Sequence, residues 1–206
     1  MPIETLITSF VTLFVIIDPI GVAPIFVSLT SGMSDAERRK VALRSTAIAV
    51  ALMALFGIAG EALLAAIGIG MPAFRISGGL LLFLIAVEML FERRSERREK
   101  QSSEAPPDPS VFPLAMPLLA GPGSLATMVL LTSRYEGDWA ATAAMLGVML
   151  AVFVVVFILF SLGGFIERAL GQTGIVVVTR LLGILLAALS VQFVLDGLHD
   201  LGLLPN

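Results

Sequence analysis

The sequence predicts an all-α integral membrane protein whose six transmembrane helices form two inverted three-helix repeats, with helices one and four broken. Three observations carry that expectation. Of the 206 residues, 57% are hydrophobic and only 14% charged, against about 45–50% and about 25% in an ordinary soluble domain. A single core cannot bury so much apolar surface, so the excess faces lipid. Six apolar segments are long enough to cross a hydrocarbon core, which takes roughly 20 residues each. The punctuation of those segments also recurs: Pro19 and Pro24 are five residues apart, and so are Pro117 and Pro122.

The first segment, 3–30, contains DPIGVAPIF at 18–26. Pro24 has no N–H, and its ring crowds the carbonyl four residues back. Pro19 and Gly21 loosen the same turn, so 18–24 is expected to unwind. Irregular backbone survives in lipid only when sheltered by protein or beside a water-filled cavity. Asp18 has two open readings. Asp followed by Pro is a standard helix start, with Asp as cap and Pro in the first turn. A carboxylate deep in a span costs about 2.5–3.5 kcal/mol on insertion scales and usually serves an ion or substrate path.

The second segment is 41–60, followed by ALLAAIGIG at 62–70. That stretch is too short to span and is expected to lie on the surface or re-enter. The third segment, 72–91, carries Arg75 near its start, where a headgroup anchor is favoured over binding a substrate carboxylate at the outer mouth. It carries Glu88 near its end, where the choice is between snorkelling toward Arg93 or Arg94 and a coupling-ion site.

A charged stretch rich in proline and serine, 92–110, then divides the chain into a first repeat, 1–91, and a second, 111–206. The fourth segment, 111–133, holds Pro117, Gly121, Pro122 and Gly123, and GPGS at 121–124 is expected to unwind as 18–24 does. Ser124 and Thr127 follow it, placed to cap the break or line a polar wall. The fifth segment is 139–163. The sixth, 180–200, contains Gln192, positioned to bond across helices or face a cavity. Its opening, TRLLGILLAAL at 179–189, parallels FRISGGLLLFL at 74–84. Three spans per half is an odd number, so equivalent halves insert upside down. Inverted repeats with interrupted helices in matching positions point to a secondary transporter.

At such breaks, freed N–H groups attract a carboxylate and freed carbonyls attract a cation or ammonium. A small zwitterion supplies both. The candidate substrate-binding set is therefore Asp18, Pro19, Gly21, Pro24, Pro117, Gly121, Pro122, Gly123, Ser124, Thr127 and Gln192. Asp18 and Glu88 are the candidates for coupling to H+ or Na+.

Basic residues mark the cytoplasmic side. Arg38, Arg39, Lys40, Arg44, Arg93, Arg94, Arg97, Arg98, Lys100, Arg168 and Arg180 fall on one side of the six-span arrangement. Only Arg75 and Arg134 fall on the other. Both termini are thus expected outside the cytoplasm, in an inner or plasma membrane. The N-terminal stretch has no basic lead and does not read as a removable signal. Cysteine is absent and His199 is the single histidine. No HExxH or phosphate-loop pattern occurs. Neither a catalytic role, a metal, a cofactor nor a nucleic-acid partner is expected; membrane lipids are.

Three stretches resemble the MarC family of bacterial and archaeal membrane proteins: DPIGVAPIFVSLTSGMS at 18–34, FRISGGLLLFLIAVEML at 74–90 and PLAMPLLAGPGSLATM at 113–128. The resemblance implies a six-span inner-membrane protein. It maps onto Asp18, Pro19, Gly21 and Pro24 in the first motif, and onto Pro117, Gly121, Pro122 and Gly123 in the third. Relatives with asparagine at the acidic position favour capping over an obligatory proton-carrying role for Asp18. The family name refers to multiple antibiotic resistance, and archaeal relatives are described as transporters of small neutral amino acids. The expected function is ion-coupled transport of a glycine- or alanine-like solute. Export of amphipathic compounds and a non-transporting scaffold are the alternatives.

Overall fold

The computed structural model describes residues 2–91, 93, 108–135 and 137–203, with the side chains of 164–168 outside that description. Most of the 92–110 linker therefore lies outside the described residues. Among those described, every regular element is helical.

Helix α1 (Ile3–Ile17) and helix α2 (Pro19–Leu29) are joined by the single residue Asp18 and together make a span of 27 residues. The turn after α2 ends at Ser34. Its side chain accepts from the Glu37 N–H while Glu37 returns a bond to the Ser34 backbone, a reciprocal cap that starts α3 (Asp35–Ala66). Gly68, at φ 78°, turns the chain into α4 (Met71–Leu90). Ser110–Leu119 is irregular. Its wide turns are closed by Leu114 N–H to Pro109 O (3.2 Å) and Ala120 N–H to Ala115 O (2.9 Å), and Phe112 and Met116 are extended. Helix α5 (Pro122–Thr132) follows at 55° to that segment and runs into a tight turn, Ser133–Tyr135. Asp138 caps α6 (Trp139–Ser161) by accepting from Ala141 N–H at 3.0 Å. The last helix, α7 (Gly163–Asp200), is interrupted at Gly171, where φ is 61°. Among the described residues, five helices are long and apolar enough to span a membrane. The bent pair Ser110–Leu119 and Pro122–Tyr135 makes a sixth span if counted as one.

Three expectations are corrected. The stretch 18–24 does not unwind: helix resumes at Pro19, and Pro24 lies inside α2. Proline in the first turn needs no N–H partner, and Pro24 forfeits only one intrahelical bond. The stretch 121–124 does not unwind either. Gly121 is the cap, Pro122 opens α5, and the irregular backbone lies upstream, at 110–120. Finally, 62–66 is no separate surface element. Nothing before Gly68 breaks the helix, so α3 runs through Ala66 as 32 residues.

The broken spans form the centre. In the Ile3–Leu29 span, 61% of the most apolar window is buried, against 22–33% in the four single-helix spans. Nine of the eleven residues of α5 are buried. The flanking helices exchange partners: α3 packs on α5 and on Ser110–Leu119, while α6 packs on α1 and α2. Phe26 of α2 stacks on Phe160 of α6 with ring centroids 4.3 Å apart. The closest pair is α4 with α7. A Cβ on Gly79 would stand 2.8 Å from the Ser190 carbonyl, and one on Gly197 would stand 3.0 Å from that of Pro72. Early α4 thus faces late α7, so the two run antiparallel. Small residues let helix backbones approach in lipid, where the hydrophobic effect gives little drive to associate.

Polarity is distributed as a bilayer requires. Large aliphatic side chains such as Leu150, Val154 and Ile158 on α6, and Val177, Leu181 and Ile184 on α7, are exposed at helical spacing. Ser9, Thr12, Asp18, Ser45, Ser124, Thr127 and Ser190 are buried. Water would penalise such outward faces, whereas hydrocarbon does not.

Candidate functional site

Asp18 holds the break in the first span. It is fully buried and left-handed (φ 54°, ψ 60°), the one described residue other than glycine with positive φ. Its backbone N–H closes α1 on the Phe14 carbonyl at 2.9 Å. Its carboxylate opens α2 by accepting from Gly21 N–H at 3.2 Å. A Cβ on Gly21 would overlap that carboxylate, so glycine at 21 is what admits the acid. Pro19 supplies the fixed φ of the first turn. The capping reading of Asp18 is therefore realised in the structure.

The two breaks meet. A Cβ on Gly123 would lie 3.1 Å from Ile16 of α1 and 2.6 Å from Ile85 of α4, so Gly123 sits two residues from Asp18's own position along α1. Their depth also agrees. The 15 residues of α1 put Asp18 about 22 Å from the end where the chain begins. The 11 residues of α5 and the three of the following turn put Gly121 at about 22 Å from that same end. A 27-residue span is about 40 Å long, so both breaks lie near its middle.

Around this crossing Pro19, Gly121, Gly123, Ser124 and Thr127 are buried, Gly21, Pro24 and Pro117 half-buried, and Pro122 exposed. Thr127 donates to the Gly123 carbonyl at 2.8 Å, so its hydroxyl occupies a carbonyl at the helix start. The remaining candidates lie elsewhere. Glu88 is a half-buried residue of α4 next to Met89, which packs on Gly183 of α7. Gln192 donates to Asp196 on its own helix at 2.7 Å and faces a cleft at the end bearing both termini.

That cleft encloses about 410 Å³ and is lined by Glu4, Thr5, Thr8, Ser9 and Thr12 of α1, Leu131 and Arg134 after the second break, and Leu189, Gln192, Phe193 and Asp196 of α7. Arg134 donates to Asp196 at 2.7 Å and lies over the Phe193 ring, 5.8 Å from its centroid. Of these residues only Gln192 is among the binding candidates that the sequence points to. The available signal was the hydroxyl stripe Thr5, Thr8, Ser9, Thr12, which repeats at helical spacing. Arg75, expected to anchor to headgroups, pairs with Asp200 of α7. At the opposite end Arg44 pairs with Asp108. Asp108's carboxyl is held below its ordinary value by hydrogen bonds from the Ser110 hydroxyl and N–H, and further by Arg44 and Lys40.

Outward-facing aliphatic surfaces, an apolar core that also takes in Asp18 and several serines and threonines, and two interrupted spans at the centre define a polytopic α-helical integral membrane protein. No solved structure matches the chain. It belongs to the MarC family: residues 3–201 match the family described as MarC family integral membrane protein. The UPF0056 membrane protein of Aquifex aeolicus is 37% identical over 199 residues, covering 95% of this chain and 92% of that protein. Bacillus subtilis YvbG is 33% identical over 206 residues, covering 98% and 97%. Escherichia coli YhcE is 32% identical over 204 residues, covering 96% and 92%. Both are described as UPF0056 membrane proteins.

Proposed function

We propose that this protein is a secondary transporter of small neutral amino acids, glycine- or alanine-like, which pass between its two broken spans. One observation carries the reading: the interruptions at Asp18 and Gly121 lie at a common depth and are in contact through Ile16 and Gly123. Transporter sites form near the midplane where discontinuous helices face each other. The inverted-repeat arrangement is supported by the exchanged packing of α3 and α6 on the opposite half's broken span, and by the antiparallel α4–α7 pair.

Small residues at the crossing suit a solute of few atoms, since Gly123 is already in contact with Ile16 and Ile85. With Asp18 buried, the described state is closed at the crossing, and transport requires the halves to rock. The orientation follows the basic residues. Arg75 and Arg134, the two cations at the terminus-bearing end, are neutralised by Asp200 and Asp196, while Arg38, Arg39 and Lys40 start α3 at the other. The basic end is cytoplasmic, in the inner or plasma membrane. Nothing in this scheme calls for a cofactor, a metal or a catalytic residue.

Purified protein in liposomes should accumulate labelled glycine or alanine under an imposed proton or sodium gradient, and lose the accumulation when an ionophore collapses it. Flat uptake under both gradients, from protein that elutes as a single folded species, would overturn the proposal.

A further inference from the structure

The cleft at the terminus-bearing end that Arg134 and Asp196 line is the roomiest of four, at about 410 Å³. The second cleft at that end, about 330 Å³, offers Glu61, Tyr135 and Asp138 but no basic side chain. Two more at the opposite end centre on Arg38, Arg39, Lys40 and Arg44. The 410 Å³ cleft sets an arginine and two carboxylates, Glu4 and Asp196, around one space, within the size range of small-molecule sites. The cleft holding Arg44 does the same with Glu37 and Asp108, but at about 210 Å³ it falls below that range.

Its ion pair is held for exchange. Both oxygens of Asp196 are engaged, Oδ2 by Arg134 and Oδ1 by Gln192, each at 2.7 Å. Phe193 supports the Arg134 guanidinium from below, which leaves its planar fork suited to a carboxylate. The side chains remain 39% and 26% exposed, so a solute reaches both charges. The neighbouring Arg75–Asp200 pair differs: Arg75 is only 12% exposed and lines none of the four clefts. It braces α4 against α7.

The cleft also leads somewhere. Thr8, Ser9 and Thr12 form its α1 wall, and Ser9 and Thr12 are already buried. Thr12 is one turn from Ile16, and Thr127 is one turn from Gly123, so the contact of Ile16 with Gly123 sets the two threonines level on antiparallel helices. Hydroxyl side chains therefore continue from the cleft wall toward the crossing, Thr12 and Thr127 each donating to the carbonyl one turn back in its own helix.

We propose that this cleft is the recognition site for the zwitterion and that the Arg134–Asp196 pair is its lock. The solute carboxylate replaces Asp196 on Arg134, and the solute ammonium replaces Arg134 on Asp196, with Glu4 on the cleft wall as a second carboxylate for it. Arg134 and Asp196 each trade one partner for another, so a zwitterion enters without stranding either charge. A lone anion or lone cation leaves one protein group stranded. The inference rests on the transport reading for its choice of solute.

The test is equilibrium binding of labelled alanine to purified protein, with uptake measured in parallel. Arg134→Gln and Asp196→Asn should each weaken binding about tenfold or more, the scale expected for one lost charge-assisted contact. Arg134→Lys keeps the ion pair but loses the fork, so it should retain the fold and still bind more weakly. Arg75→Gln should leave affinity within about twofold. Acetate and methylamine should compete about tenfold or more less well than glycine. If wild type binds alanine while Arg134→Gln and Asp196→Asn, both monodisperse, bind it equally well, the cleft assignment is overturned and transport through the crossing stands. Acetate competing as well as glycine would also overturn it. If wild-type uptake is flat but binding is lost in Arg134→Gln, the cleft assignment holds and the transport reading falls.

Discussion

At Asp18 a non-glycine residue is held in the left-handed region, where Asp and Asn are the side chains best able to sit. The carboxylate's bond to Gly21 N–H stabilises that turn. Asp18→Asn preserves the acceptor oxygen, so uptake should stay within about twofold of wild type if the side chain works as a cap. A loss of uptake, or of its pH dependence alone, would show that the charge itself is used. Asp18→Ala removes the cap and should cost about 1 kcal/mol or more, read as a lower thermal unfolding midpoint. Gly21→Ala drives a methyl into the carboxylate and should be at least as costly. Because the two residues touch, the costs should not add: in an Asp18→Ala background, Gly21→Ala should cost little. A fully additive pair would mean that Gly21 is required for some other contact.

Among the elements, the irregular Ser110–Leu119 segment is tied at its start to α3 through Asp108, Ser110 and Arg44. A carboxyl whose folded value is depressed contributes stability that is present above its ordinary value and lost as pH falls through the lowered one. The unfolding midpoint gap between wild type and Asp108→Asn should therefore be constant from pH 7 down to the ordinary value of 3.8 and close only below it. A gap that closes between pH 7 and 5 would assign the effect to another group. The same segment shows how far the sequence could be read at this scale. The span positions were legible because apolar length is a property of the chain itself. The breaks were placed too broadly, since prolines say which bonds are missing but not whether the neighbouring turns hold. At Pro24 they do, and at Met116 and Pro117 they do not. In the cleft, Gln192 stood out as an amide in an apolar run. Glu4, Arg134 and Asp196 sit at helix ends, where charges are ordinary, and only tertiary packing joins residues so far apart in sequence.

For the whole molecule, the assignment that ties the cleft to a compartment is orientation, and the charge asymmetry behind it has a direct test. The chain has no cysteine, so each introduced thiol reports its own position. Trp139, 74% exposed at the start of α6, and Ile3, 64% exposed at the start of α1, lie at the same end as the cleft. Ser31, exposed in the turn between α2 and α3, lies at the opposite end beside the basic start of α3. A membrane-impermeant maleimide added to intact cells should label Trp139→Cys and Ile3→Cys, and Ser31→Cys only after permeabilisation. The physical ground is that basic residues resist translocation, and the two at the cleft end are already matched by aspartates. The reverse labelling pattern would place the cleft in the cytoplasm, turning a site for capturing external solute into one that loads it for export. The contacts described, the Arg134–Asp196 pair included, would be the same under either orientation.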